Sequence, residues 1–240
     1  MATLFISDLH LSPERPEIVH LFRAFLAGPA RGAQGLYILG DLFEYWAGDD
    51  DLAKAFNASI VAELAACAES VPVAFMRGNR DFLVGARFAQ ASRARLAEDP
   101  ELVELYGRRV LVSHGDALCT DDAAYQQFRR LVRSAAWIES FLKRPLEERR
   151  REIESLRALS EAEKQGKPAD VMDVNREAVE DLLRRHGYPT LVHGHTHRPD
   201  RHEHVVDGRR CERWVLADWY RDASWLALGP QGFSRGTMSA

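Results

Sequence analysis

Seven side chains in this sequence share one kind of chemistry: Asp8, His10, Asp41, Asn79, His114, His195 and His197. All are oxygen or imidazole donors, and none is a thiolate. Asp8 and His10 are spaced i, i+2, as are His195 and His197. In extended backbone that spacing puts both side chains on one face, so each pair can grip one ion. Seven donors are too many for a closed tetrahedral site. They suit two neighbouring divalent ions with one carboxylate between them. Imidazole and oxygen ligands without thiolate fit Mn²⁺, Fe²⁺ or Zn²⁺ with positions left open for water. Two ions roughly 3.5–4 Å apart can share a hydroxide and clamp a phosphoryl oxygen, which is hydrolytic chemistry at a phosphorus ester.

Such a cluster needs a scaffold that ends several elements at one place. Short apolar runs at residues 4–6, 36–39, 71–76, 110–112 and 190–192 read as strands, and a donor cluster follows each of them. Pro16 opens a helix whose apolar face carries Ile18, Leu21, Phe22, Phe25 and Leu26, with Gly28-Pro29 as its stop. Leu52, Phe56, Ile60 and Leu64 recur every four residues and mark a second helix. Residues 121–187 hold no convincing strand and read as helical, with Asp173 as the expected N-cap of the last helix. Asp207-Gly208 sits between two strand-like runs as a hairpin turn, and the chain is expected to fray from Gly232 on. The order is strand, loop, helix, repeated, with a helical insert before the fifth strand. That is α/β organisation, and its sites form at the C-terminal edge of the strands.

Composition agrees with one large soluble domain spanning residues 1–240. The chain has 240 residues, 46% of them hydrophobic and 28% charged, with a net charge of −4. The mild acidity and the lack of an aromatic-basic stripe argue against a nucleic-acid partner. The three cysteines, Cys67, Cys119 and Cys211, form no CxxC pair, which excludes a disulfide framework and suggests a reducing compartment. The N-terminus has no basic region and too short an apolar run for a signal peptide, so a cytoplasmic place is expected.

The motifs Asp8-x-His10, Gly40-Asp41, Gly78-Asn79, His114 and Gly194-His195-x-His197 resemble the calcineurin-like metallophosphoesterase superfamily. The resemblance implies a four-layer αββα sandwich around a dinuclear centre, most often loaded with Mn²⁺. It implies Asp8, His10, Asp41 and His197 on one ion and Asp41, Asn79, His114 and His195 on the other, with Asp41 bridging. One departure matters. Most of the superfamily carries a His after the Asn of the third block, and here that residue is Arg80. Without that acid, a leaving group that departs readily as an anion is favoured, such as the phosphate of a pyrophosphate. Arg80 can pair with phosphate oxygens through its fork of donors.

Residues 38–50 and 77–82, with Asp116 and Thr120-Asp121-Asp122, resemble more narrowly the diphosphatase family of lipid A biosynthesis. Its members hydrolyse UDP-2,3-diacylglucosamine to UMP and a diacylglucosamine 1-phosphate, by attack of metal-activated water on the uridine-side phosphorus. The resemblance implies Asn79, Arg80, His195, Asp122, Ser160, Lys164 and Lys167 as substrate contacts. The insert, approximately residues 121–170, is expected to cap the site. Its apolar stripe (Phe128, Leu131, Val132, Ala135, Ile138, Phe141 and Leu142) is flanked by Arg129, Arg130, Arg133, Lys143 and Arg144. Such a helix can rest on an anionic bilayer, pack on the core, or line an acyl groove. The expectation is a monomer held peripherally at the cytoplasmic face of the inner membrane.

Overall fold

The computed structural model describes residues 1–164 and 173–239, with residues 159–164 described by their backbone only. Two sheets stack face to face. The chain enters the first with β1 (Thr3–Ile6), turns through α1 (Pro16–Ala27), returns as β2 (Gly35–Leu39), and continues through α2 (Ala55–Ala68), β3 (Val73–Met76), α3 (Ala86–Ser92) and β4 (Arg95–Ala97). β5 (Glu101–Leu105) and β6 (Arg108–Ser113) begin the second sheet. The insert follows as α4 (Ala123–Val132), α5 (Ala135–Leu142) and α6 (Leu146–Lys164). Then come α7 (Arg176–Arg185), β7 (Thr190–His193), β8 (Arg201–Val206), β9 (Arg209–Val215), β10 (Ala223–Gly229) and β11 (Gly232–Met238). The strand orders are β11-β10-β1-β2-β3-β4 and β5-β6-β7-β9-β8.

Both faces of the central strands are covered, which explains their unbroken apolar runs. In β1, Leu4 and Ile6 meet the helices while Phe5 faces the other sheet. The inter-sheet core also holds Leu39, Met76, Val110, Val112, Val192 and Leu226. α1 and α2 cover the outside of the first sheet. α7 covers the second through Val179, Leu182 and Leu183 against Leu111 and Leu191. The layers are therefore αββα, as expected. β1, β2 and β3 run parallel, and so do β6, β7 and β9, so their C-terminal ends share an edge.

Several local expectations need correction. The chain does not fray after Gly232: β11 pairs with β10 along its whole length. The N-cap of α7 is Asn175, whose side chain accepts from Ala178 N, while Asp173 turns to its own neighbour Val174 N and to Arg198. The stripe of residues 125–142 is two helices, because Ser134 caps α5 by accepting from Trp137 N. Leu52 lies in a 3₁₀ turn (Asp49–Ala53) ahead of α2. The short β4, the half-exposed β5 and α3 escape a periodicity reading altogether.

The insert docks on the loop after β2. Arg149 is buried and donates to Ala47 O and to Asp50, and Arg150 pairs with Asp51. Arg157 pairs with Glu44. Phe141 is buried in the core, Trp137 stacks on it at 4.5 Å between ring centres, and Phe82 lies against Trp137. The stripe thus divides. Val132 and Phe141 are buried, Trp137 and Ile138 are partly buried against the core, and Phe128, Leu131 and Leu142 stay exposed. Among the described residues no helix is long and apolar enough to cross a membrane.

Candidate metal centre

All seven expected donors meet at the shared edge. Asp8 and His10 follow β1, Asp41 follows β2, Asn79 follows β3, His114 follows β6, and His195 and His197 follow β7. Ladder hydrogen bonds carry the strand registers into these loops. Asp8 N donates to Gly40 O, His10 N to Asp41 O, and Gly194 N to His114 O.

The backbone there is strained. Asp8, His10, Asp41, His195 and His197 all adopt positive φ, between 49° and 69°. Each such non-glycine residue costs of order 1 kcal/mol, and strain of this kind persists where the surroundings over-determine it. The close approach also requires glycine. A Cβ on Gly78 would stand 2.0 Å from Asp41 Oδ1, and one on Gly194 would stand 2.3 Å from Asp8 Oδ2.

Two triplets place one ligand atom each within 4.8 Å of the others: Asp8, His10 and His197, and Asp8, Asp41 and His114. Asp8 belongs to both. Asp41 lies between the two imidazoles, with Oδ2 3.9 Å from His10 Nε2 and Oδ1 3.8 Å from His114 Nε2. Asn79 Oδ1 is 2.9 Å from His114 Nε2 and 2.8 Å from His195 Nδ1.

The unmet valences fit metal ions. Both nitrogens of His10 are buried without a hydrogen-bond partner, and buried Asp8 Oδ1 has only the His197 imidazole beside it, without good hydrogen-bond geometry. Buried polar atoms are otherwise almost always satisfied. His114 has an acceptor at each nitrogen, Leu39 O at 2.8 Å and Asn79 Oδ1. His197 has Asp218 Oδ2 at 3.0 Å from Nδ1 and Asp8 Oδ1 at 3.3 Å from Nε2. A neutral imidazole has one N–H, so each arrangement calls for a second cation, either a proton or a metal ion.

Electrostatics follows the same logic. Burial opposes the charge on His114, but Asp41, Asp116 and Asp8 overcome it and push its pKa up to about 9. Burial is likewise overcome at His197 by Asp218 and Asp8, to about 10. Burial holds His10 well below its usual range. Burial alone would raise the Asp8 carboxyl, but His197, with His114 and His10, holds it well below the carboxylate range. Burial, with Asp81 and Asp8, pushes Asp41 up to about 7 against His114.

Sequence reasoning assigned no role to the supports. Asp81 is fully buried and accepts from Gly78 N, Leu42 N and Asp41 N, locking two metal-site loops together. Asp116 is fully buried and accepts from Tyr125 Oη, Arg129 Nε and Arg133 Nη2. Tyr125 in turn stacks on His195 at 5.9 Å. Asp218 follows β9 as the other clusters follow their strands, and that position was the available signal. Of the expected substrate contacts, Asn79, Arg80 and His195 lie at the centre, and Arg80 N donates to Asp41 Oδ1. Asp122 caps α4, accepting from Tyr125 N. Ser160 and Lys164 fall on the backbone of α6, and Lys167 lies outside the described residues. Two histidines without an expected role, His193 and His204, are buried against the Arg213 guanidinium.

Residues 1–199 match the family described as calcineurin-like phosphoesterase. The UDP-2,3-diacylglucosamine hydrolase of Aromatoleum aromaticum is 60% identical over 227 residues, covering 94% of this chain and 92% of the relative. The protein of the same name from Stenotrophomonas maltophilia (strain K279a) is 48% identical, covering 100% of this chain and 99% of the relative. That from Chromobacterium violaceum is 50% identical, covering 92% and 91%. With the match spanning most of the chain and all seven donors at one edge, the chain belongs to the calcineurin-like phosphoesterase family.

Proposed function

We propose that this enzyme hydrolyses the pyrophosphate bond of UDP-2,3-diacylglucosamine, releasing UMP and 2,3-diacylglucosamine 1-phosphate. The observation that carries the reading is the meeting of seven donors, with orphaned valences on Asp8 and His10, in a chain up to 60% identical to hydrolases named for that substrate. Asp8, His10, Asp41 and His197 would hold one ion, and Asp41, Asn79, His114 and His195 the other. Two bound divalent ions, Mn²⁺ in this reading, supply Lewis acidity at the phosphoryl oxygens and lower the pKa of water.

The chain's own residues do the rest. Asp81 fixes the Asp41 and Gly78 loops, so the carboxylate does not wander when charge builds on the substrate. Arg80, anchored through its backbone to Asp41, brings a permanent positive charge beside the site, where a leaving phosphate needs one. No residue at that position supplies a proton to the leaving group, which suits a phosphate and disfavours an alkoxide. Tyr125 packs its ring on His195 and holds that imidazole in place.

The insert, on this reading, caps the site and receives the acyl chains, with Asp122, Ser160, Lys164 and Lys167 contacting the substrate. Support comes from Trp137 and Phe141, which pack toward the loop that carries Asn79 and Arg80. Exposed Phe128, Leu131 and Leu142 beside Arg130 and Lys143 suit a monomer resting on the anionic face of the inner membrane.

The deciding experiment is phosphorus NMR of the products in oxygen-18 water. Label in UMP supports attack on the uridine-side phosphorus. Label in the sugar phosphate overturns that direction of attack. Turnover of UDP-sugars with and without acyl chains alike would point to a general nucleotide pyrophosphatase.

A further inference from the structure

The loop between β9 and β10 crosses from the second sheet to the first at the metal edge. It carries Asp218, whose Oδ2 is 3.0 Å from His197 Nδ1. We infer that Asp218 is a positioning residue for the ion held by Asp8, His10 and His197, acting through the His197 imidazole. The inference rests on the dinuclear reading above.

The loop holds Asp218 from both sides. Leu216 N donates to His193 O, which ties its start to β7. Trp219 is fully buried, its N donates to Asp8 O, and its Nε1 donates to Ser224 O at 2.9 Å. Arg15 Nη2 donates to Trp219 O at 2.8 Å, closing the loop onto the segment after β1. Through its neighbour Trp219, Asp218 is therefore tied to the backbone of Asp8, and its own carboxylate lies next to the His197 imidazole.

The chemistry requires such a group. His197 points Nε2 at Asp8 Oδ1 and Nδ1 at Asp218. A carboxylate at Nδ1 selects the tautomer with the proton there. That would leave the Nε2 lone pair free for an ion and make it a more basic ligand. The imidazoles proposed for the other ion are fixed differently. His114 Nδ1 meets the Leu39 carbonyl, and His195 Nδ1 meets Asn79. Removing Asp218 should therefore loosen one ion and spare the other.

The test is a two-step Mn²⁺ titration by calorimetry on the metal-stripped full chain. It compares wild type, Asp218→Ala, Asp218→Asn and, to identify the step, His197→Ala. Unfolding of each variant in excess chelator checks the fold. Outer carboxylates of this kind are worth about 10–100-fold in metal affinity. Asp218→Ala is expected to weaken by that factor the step that His197→Ala removes, and to leave the other within about threefold. Asp218→Asn keeps an acceptor oxygen of the same shape and is expected to recover part of the loss. Both steps unchanged, both weakened alike, or loss at the other step overturns the inference. A wild-type chain that takes up no ion overturns the dinuclear reading itself, and this inference falls with it.

Discussion

Replacing Gly78 by alanine tests whether metal-site geometry, rather than general packing, limits turnover. A Cβ there would stand 2.0 Å from Asp41 Oδ1, whereas real Cβ contacts essentially never fall under 3.0 Å. The carboxylate must therefore retreat by about 1 Å. Rotating it away gives no relief, because the same Cβ lies 2.4 Å from Asp41 N. Asp41 N is itself held by Asp81, so the whole loop has to move. A displacement of about 1 Å at a reacting centre costs about 100-fold in rate. Gly35→Ala is the control. Its nearest neighbours would be Pro72 O at 3.7 Å and Thr3 Cγ2 at 3.8 Å. It should fold at least as well as wild type, since alanine narrows the unfolded ensemble by about 0.4–1 kcal/mol. Steady-state kcat/KM on the UDP-sugar, with bound metal measured by elemental analysis, reads both. The expected outcome is a loss of about 100-fold or more for Gly78→Ala and wild-type activity for Gly35→Ala. Activity within threefold of wild type in Gly78→Ala would refute the reasoning.

Further outcomes are expected. Asp8→Ala and His10→Ala should abolish turnover while circular dichroism and the unfolding midpoint change little; retained activity in either would remove it from the ligand set. Chelation should abolish activity and added Mn²⁺ restore it, checked by assay after dialysis. Truncating Trp137, Ile138 or Phe141 to alanine should raise KM for the acylated substrate more than for a short water-soluble pyrophosphate, and equal losses on both would sink the acyl groove. His114 and His197, pushed up to about 9 and about 10, are protonated in the metal-free chain at pH 7.5, so metal loading should release about two protons. Because these pKa values are raised, the stability they give the metal-free chain is full below about pH 6.5 and is lost as pH rises through 9 to 10, measurable by denaturant melts in chelator.

The seven donors were legible in the sequence because each strand that leads to them is buried on both faces. Such strands read as short apolar runs, and a polar cluster after one is conspicuous. Supports were harder to see. Asp81 and Asp116 lie in stretches that carry the family resemblance, but they work by accepting donors from distant loops and from the insert, and local sequence does not show those partners. β5 hid because its exposed residues, Leu102 and Glu104, alternate with only half-buried ones. The break at Ser134 hid because apolar spacing continues through it, and only the hydroxyl on Trp137 N reveals two helices. β11 hid because Ser234, Arg235 and Gly236 lower its apolar content, while its pairing with β10 comes from a partner that local pattern does not show.

Each metal triplet draws on both sheets. Asp8 and His10 leave the first sheet and His197 the second; Asp41 leaves the first and His114 the second. Neither half of the sandwich holds a complete set, so an ion cannot template the folding of either. During synthesis an ion held by Asp8, His10 and His197 would have to wait for β7 to emerge and dock, after more than three-quarters of the chain is made. Ions seated there would act as rivets across the inter-sheet seam. Stripping them should speed hydrogen exchange first where the two sheets meet at that edge, and least at the far ends of the same strands.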